Sequence, residues 1–195
     1  MKQVSASILS ANWLVLGEEL RRAEEAGCDC VHIDVTDGHF VGNLTMGMDI
    51  TRAVCGATSL RKDVHLMIEE PGRFIKAFAD AGADSITFHA EATAHPIELI
   101  REIKRQGKLA GVALDPATPV ETLEHYLDQV DLVLLVAVCV GFGGQKFIDA
   151  VDEKIRRLAA MRNEKNLSFE IQVDGGINTA NGAQKRALGV DNLVG

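Results

Sequence analysis

The feature that most constrains this chain is its rhythm: short apolar, β-branched runs recur from end to end with longer amphipathic stretches between them. The runs fall at residues 4–9, 30–35, 63–67, 85–89, 109–114, 132–138, 169–173 and 192–194. They are too short for helices and mostly continuous rather than alternating in hydrophobicity, so each strand is covered on both faces, as in a parallel sheet wrapped by helices. The stretches between them carry the helical period. Leu14, Leu20 and Ala23 share one face with Glu18, Glu19, Arg21 and Arg22 opposite, and Ile97, Ile100 and Ile103 oppose Arg101 and Lys104. Gly27, Gly82 and Gly107 stand where such helices close, and Pro71, Pro96 and Pro119 where they open. Eight strand–helix units predict an α/β protein of the (β/α)8 TIM barrel type rather than an open doubly wound sheet. The second unit is weak, because residues 46–55 must supply its helix, and the eighth stops after its strand. The expectation is one barrel domain over residues 1–195, C-terminally incomplete for want of the final helix, with no linker or low-complexity segment to mark a second domain.

Several function classes are disfavoured at once. A net charge of −8 opposes a broad basic face, and aromatics at 5% leave few rings to stack on bases, so nucleic acid is not expected as a partner. No run approaches the roughly 20 apolar residues of a bilayer span, so no membrane partner is expected either. The four cysteines, Cys28, Cys30, Cys55 and Cys139, lack the spacing of a disulfide framework or a CxxC site, which predicts reduced thiols and a cytoplasmic location.

In a barrel of this type chemistry collects at the C-terminal ends of the strands. His32 and Asp34 are two residues apart on the second strand and so share a face, His65 lies in the third run, and Asp174 follows the seventh. Two imidazoles and two carboxylates form a mixed N/O donor set suited to one divalent metal ion, Zn²⁺, Fe²⁺, Mn²⁺ or Co²⁺. Each alone could merely cap a helix or hold a loop; four converging at strand ends argue for a site. The second constellation is Gly141, Phe142, Gly143, Gly144 and Gln145 after the sixth strand, with Gly175 and Gly176 after the seventh. Glycines let the backbone approach a ligand, and successive N–H groups make an anion site, so a phosphate is expected there.

These strings carry a resemblance. Ser7-Ile8-Leu9, His32-Ile33-Asp34-Val35 with Asp37-Gly38-His39-Phe40-Val41, Asn43-Leu44-Thr45, His65-Leu66-Met67, the 141–145 segment and Val173-Asp174-Gly175-Gly176 run in the order found in ribulose-phosphate 3-epimerases, and the chain resembles that family. The resemblance implies a ribulose-phosphate-binding barrel with one catalytic metal held by His32, Asp34, His65 and Asp174. It implies Asp34 as proton acceptor and Asp174 as proton donor for inversion at C3 through an enediolate. Ser7, His65 and Asp174 become substrate contacts, and Gly141, Phe142, Gly143, Gly144, Gly175 and Gly176 line the phosphate. The implied reaction interconverts D-ribulose 5-phosphate and D-xylulose 5-phosphate in the pentose phosphate pathway, with a ketohexose 6-phosphate 3-epimerase such as one acting on D-allulose 6-phosphate as the nearest rival. A lyase or decarboxylase on a similar barrel would show a strand-end lysine, which is lacking, and a catalytically impaired phosphate-binding relative would have lost a ligand.

The chain also departs from the family pattern. Thr36 and Val136 stand where methionines are usual, leaving Met67, and Cys139, Val140, Gly42 and Asp115 replace an Asn, two Pro and another Asn. These changes bear on loop stiffness and substrate contacts. Cys139 and Cys30 are expected to pack as small hydrophobes, His89 to support a ligand, and His95 and His125 to face solvent. The stop after residues 192–195 leaves the outer faces of strands eight and one short of cover, so either a longer chain or a neighbouring subunit is expected, the latter making a homo-oligomer.

Overall fold

The computed structural model describes residues 2–195. Eight parallel strands close into a barrel in chain order: β1 (Gln3–Ser7), β2 (Cys30–Thr36), β3 (Arg61–Met67), β4 (Ser85–His89), β5 (Leu109–Leu114), β6 (Leu132–Val136), β7 (Glu170–Asp174) and β8 (Asn192–Val194), with β8 pairing back onto β1. Outside lie α1 (Leu16–Glu25), α2 (Met48–Ala57), α3 (Ile75–Ala81), α4 (Pro96–Arg105), α5 (Val151–Glu164) and α6 (Gly182–Ala187). The weak second unit does supply its helix, α2, which buries Thr51 and Val54. The fifth does not: Pro119 opens only a short 3₁₀ turn at Val120–Leu123, which still buries Val120 and Leu123 against the barrel. His125 therefore sits in a turn and His95 just before α4, both exposed.

Period-two alternation explains the two layers of the core. Val31, Ile33 and Val35 of β2, Val64 and Leu66 of β3, and Ile86 and Phe88 of β4 all belong to the large cluster formed with the helices. Their alternates, His32, Asp34, Asp63, His65, Ser85, Thr87 and His89, are buried polar groups of the barrel interior. Across β5 and β6 the interior turns apolar, where Ala113, Leu132, Leu134, Val136 and Val138 form a separate cluster. One wall of the barrel is thus polar and hydrogen-bonded, the other small and greasy. Strand register decides what meets: Ser7 pairs with His32, Asp34 with His65, and Val136 with Asp174. Among the described residues no helix is long and apolar enough to cross a membrane.

Candidate active site

Asp34 lies at the centre of the polar wall. Its Oδ2 accepts a 2.8 Å hydrogen bond from Ser7 Oγ, and its Oδ1 lies 3.1 Å from His65 Nδ1 and 3.3 Å from His32 Nε2. Thr45 Oγ1 donates to the Asp34 carbonyl at 2.7 Å, fixing the strand end from the following loop. One donor atom each from His32, Asp34, His65 and Asp174 can be chosen so that all lie within 4.8 Å of one another. The four candidate ligands read from the sequence therefore converge.

The layer beneath was not foreseen. Asp63 Oδ2 accepts from His32 Nδ1 at 2.8 Å and from Gln172 Nε2 at 2.6 Å, while its Oδ1 accepts from Ser85 Oγ at 2.6 Å. Asp63 was legible only as part of an apolar run; its spacing of two before His65 puts it on the inner face, which was the available signal. Burial alone would raise the Asp63 carboxyl, but the His32, Ser85 and Gln172 bonds outweigh it and hold the group well below the usual carboxylate range. An ionised Asp63 only accepts, so His32 must carry its hydrogen on Nδ1, and the other ring nitrogen, Nε2, is buried without a hydrogen-bond partner. A buried polar atom left over in this way is costly unless something engages it. An imidazole held from behind by a carboxylate, with its free nitrogen turned toward two more carboxylates, is the arrangement that metal-binding histidines adopt, so the donor set fits a divalent cation.

The two carboxylates of the cluster differ in proton affinity. Burial would raise Asp34, but His32 and His65 overcome it and keep Asp34 well below the ordinary range. Burial and the neighbouring charge of Asp34 push Asp174 up to about 7. Burial pulls His32 down, yet Asp34 and Asp63 prevail and raise it well above the ordinary imidazole. His65 goes the other way, lowered to about 4 by burial, with His89 adding to the effect.

A cavity of about 570 Å³ opens above the cluster, lined by Ser7, Asp34, His65, Asp174, Gly141, Phe142, Gly143, Gly144, Gly175 and Gly176 among others. His32 lies below it, fully buried. Ser10, Asn178 and Asn181 also line the cavity and were not anticipated; Asn181 Nδ2 donates to the Gly176 carbonyl at 2.8 Å. Gly176 has φ +67°, and a Cβ there would come within 2.2 Å of Phe147 N, so both the turn and the close packing require glycine. Gly141 has φ +96° and packs against Val41, while its carbonyl accepts from Asn43 Nδ2 at 2.7 Å, tying the loop after β6 to the loop after β2. Gln145 Nε2 closes the turn on the carbonyls of Cys139 and Phe142 at 2.6 and 2.8 Å. Cys139 is exposed rather than packed as a small hydrophobe, because it sits at the tip of a loop whose neighbours Val138 and Val140 turn toward the cavity. Cys30 is buried in the barrel as expected, and His89 meets His65.

Known proteins resemble this arrangement in both sequence and shape. The ribulose-phosphate 3 epimerase family model matches residues 3–195. A Bacillus subtilis ribulose-phosphate 3-epimerase is 54% identical over 179 residues, covering 91% of this chain and 82% of its own. An Arabidopsis thaliana chloroplastic ribulose-5-phosphate-3-epimerase is 46% identical, covering 98% of this chain and 69% of its own. Among solved structures, a tryptophan synthase α-subunit from Pyrococcus furiosus superposes with a TM-score of 0.70 at 13% identity, covering 100% of this chain and 88% of that one, a likeness of fold alone. On the match across nearly its whole length and these identities, the chain belongs to the ribulose-phosphate 3-epimerase family.

Proposed function

We propose that this chain inverts C3 of a ketose phosphate, interconverting D-ribulose 5-phosphate and D-xylulose 5-phosphate, with Asp34 and Asp174 as the two proton-transferring groups. The observation that carries this reading is that Asp34 of β2 and Asp174 of β7 converge in one buried cluster, in surroundings that keep Asp34 well below the ordinary carboxylate range and push Asp174 up to about 7. Neighbouring carboxylates whose environments drive their proton affinities apart are suited to opposite roles. Inversion beside a ketone needs a proton removed from one face and returned to the other. Asp34 takes the C3 proton; Ser7, donating to Asp34 Oδ2, keeps the carboxylate aimed. Asp174, on the far strand β7, gives a proton from the opposite face, and in the reverse direction the two exchange roles.

His32, Asp34, His65 and Asp174 would hold one divalent ion, Zn²⁺, Fe²⁺, Mn²⁺ or Co²⁺, which when bound supplies Lewis-acid stabilisation of the negative charge developing on the substrate oxygens. The phosphate lies at the glycine end of the cavity, where backbone N–H groups of Gly143, Gly144 and Gly176 can face it, and its binding energy assists the chemical step. The four free thiols favour a reducing, cytoplasmic setting. The exposed side chains of Trp13, Leu14 and Leu44 offer apolar surface for a homo-oligomer.

The test is turnover of D-ribulose 5-phosphate against the unphosphorylated ketopentose and a ketohexose 6-phosphate, each with metal content measured on the same sample. The reading expects the pentulose phosphate to be the best substrate by kcat/KM. Equal kcat/KM for the sugar and its phosphate would remove the phosphate assignment, and a better hexulose phosphate would move the substrate.

A further inference from the structure

Behind the glycine turns lies a buried cation. Lys185 of α6 is only 2% exposed, and a lysine is almost never so buried without a partner. Its Nζ donates at 2.6 Å to Oδ1 of Asp152, in the first turn of α5, and lies 3.7 Å from the centroid of the Phe147 ring. One ammonium thus grips the chain at two places, on either side of the entry to α5. The gripped segment is the one that meets Gly176. A Cβ on Gly176 would come within 2.2 Å of Phe147 N and 2.9 Å of the Lys146 carbonyl carbon, so the two main chains touch. The Ile148 N–H donates to the Ala137 carbonyl at 2.8 Å and the Ala137 N–H to the Asp174 carbonyl at 2.7 Å, tying the segment to the ends of β6 and β7. From the other side Asn181, whose carbonyl accepts from the Lys185 N–H at 3.2 Å, donates from Nδ2 to the Gly176 carbonyl at 2.8 Å.

We infer that Lys185 is a positioning residue for anion binding: by holding Phe147 and Asp152 it keeps the segment after the β6 glycine turn against Gly176, and so sets the spacing between the two turns. Lys185 itself stands outside the cavity lining, whereas Phe147, Gly143, Gly144 and Gly176 belong to it. N–H groups from two separate turns can serve one phosphate only if their separation is fixed. The turn after β6 does not fix it alone, because Gly143 and Gly144 are exposed. A cation on the ring face and beside the carboxylate acts on both at once, and burial removes the water that would weaken either contact. α6 therefore carries two handles, Asn181 for the turn after β7 and Lys185 for the chain that leaves the turn after β6.

This role depends on the phosphate reading above, and two readouts keep them apart. Lys185→Met keeps the buried stem and removes the ammonium. The double variant Lys185→Met with Asp152→Asn also removes the stranded carboxylate, and stands in if the single variant does not fold. Should neither fold, Asp152→Asn alone carries the same test with a smaller expected loss. The first readout, amide hydrogen exchange without ligand, is expected to be faster at residues 143–148 and 176 and unchanged in β2 and β3. The second is binding of inorganic phosphate, with kcat/KM on D-ribulose 5-phosphate and on the unphosphorylated ketopentose. Phosphate affinity and kcat/KM for the phosphorylated sugar should fall together by about 10- to 100-fold, with kcat/KM for the unphosphorylated sugar and the metal content unchanged. Wild-type phosphate affinity in a folded variant overturns the proposal, as does unchanged exchange, and as does an equal loss on both sugars, which would make Lys185 a residue of stability alone. Wild-type protein that neither binds inorganic phosphate nor distinguishes the two sugars would refute the phosphate reading and the anion role with it, while faster exchange in the variants would still show that Lys185 orders the turns.

Discussion

The two sides of the barrel mouth are built from different materials. Around β2, β3 and β4 the site consists of side chains: His32, Asp34, Asp63, His65 and His89 are nearly or fully buried, and each is held by at least one neighbour of fixed geometry. Around β6 and β7 it is built, apart from Asp174 at the end of β7, of backbone, with Gly141, Gly144, Gly175 and Gly176 all at positive φ and Phe142 and Cys139 exposed. Proton transfer needs particular atoms of particular acidity, whereas holding a phosphate needs only N–H groups at the right spacing. Exchanging an acid for its amide should therefore be ruinous on the first side and at Asp174, and elsewhere on the second side exchanging a side chain should matter only where it moves the main chain.

The largest effect is expected at the two carboxylates. Asp174→Asn and Asp34→Asn each lose a proton-transfer group worth about 10²- to 10⁴-fold, read as kcat in metal-replete protein whose circular dichroism is unchanged. Chelation of the unmodified protein should silence it to a similar degree, with recovery on adding metal back. Next comes Asp63, which touches no substrate. Asp63→Ala strands His32 and Gln172 in the barrel and should cost about 3–5 kcal/mol in denaturant unfolding, the usual penalty for breaking a buried ion pair. Because the folded-state proton affinity of Asp63 is lowered, its stabilisation is present above the unfolded carboxyl value near 4 and fades as pH falls below it. The acid limb of a stability–pH curve should therefore flatten in Asp63→Asn; an identical acid limb would mean that Asp63 is not held ionised by His32.

On the backbone side the expected effects are smaller and depend on φ. Gly176→Ala places a Cβ at φ +67° against Phe147, a strain of about 1–3 kcal/mol, and should raise KM for the phosphorylated ketose more than for the unphosphorylated one. A uniform loss on both substrates would break the contrast between the two sides. The smallest effect is expected at the exposed rim. Cys139→Ser keeps the carbonyl that accepts from Gln145, so turnover should be unchanged and stability should move by no more than about 0.5 kcal/mol. A large drop in kcat there would mean that the thiol itself takes part.

The same division governs what could be read before the fold was known. Ligands on strands are legible because a spacing of two puts His32 and Asp34 on one face, and four polar residues at the ends of apolar runs are conspicuous. The glycines after β6 and β7 are legible because no other residue type serves those turns. Asp63 and Gln172 escaped notice because polar groups deep inside a barrel are chosen by partners that lie 31 and 109 residues away, a pairing no local pattern encodes. Cys139 was misjudged for the opposite reason: a thiol beside two valines reads as core, and only the turn closed by Gln145 sends it outward. The absence of an α-helix between β5 and β6 has a similar origin, since the apolar spacing of Val120, Leu123 and Leu127 suits a 3₁₀ turn followed by further turns as well as a helix.

The central claim is that Asp34 and Asp174 serve opposite faces of one carbon, and solvent exchange at C3 tests it most directly. In D₂O, wild-type protein should give product bearing deuterium at C3. Metal-replete Asp174→Asn should exchange deuterium into D-ribulose 5-phosphate, through Asp34 acting alone on its own face, while forming almost no D-xylulose 5-phosphate. Inversion at the wild-type rate in that variant would contradict the account.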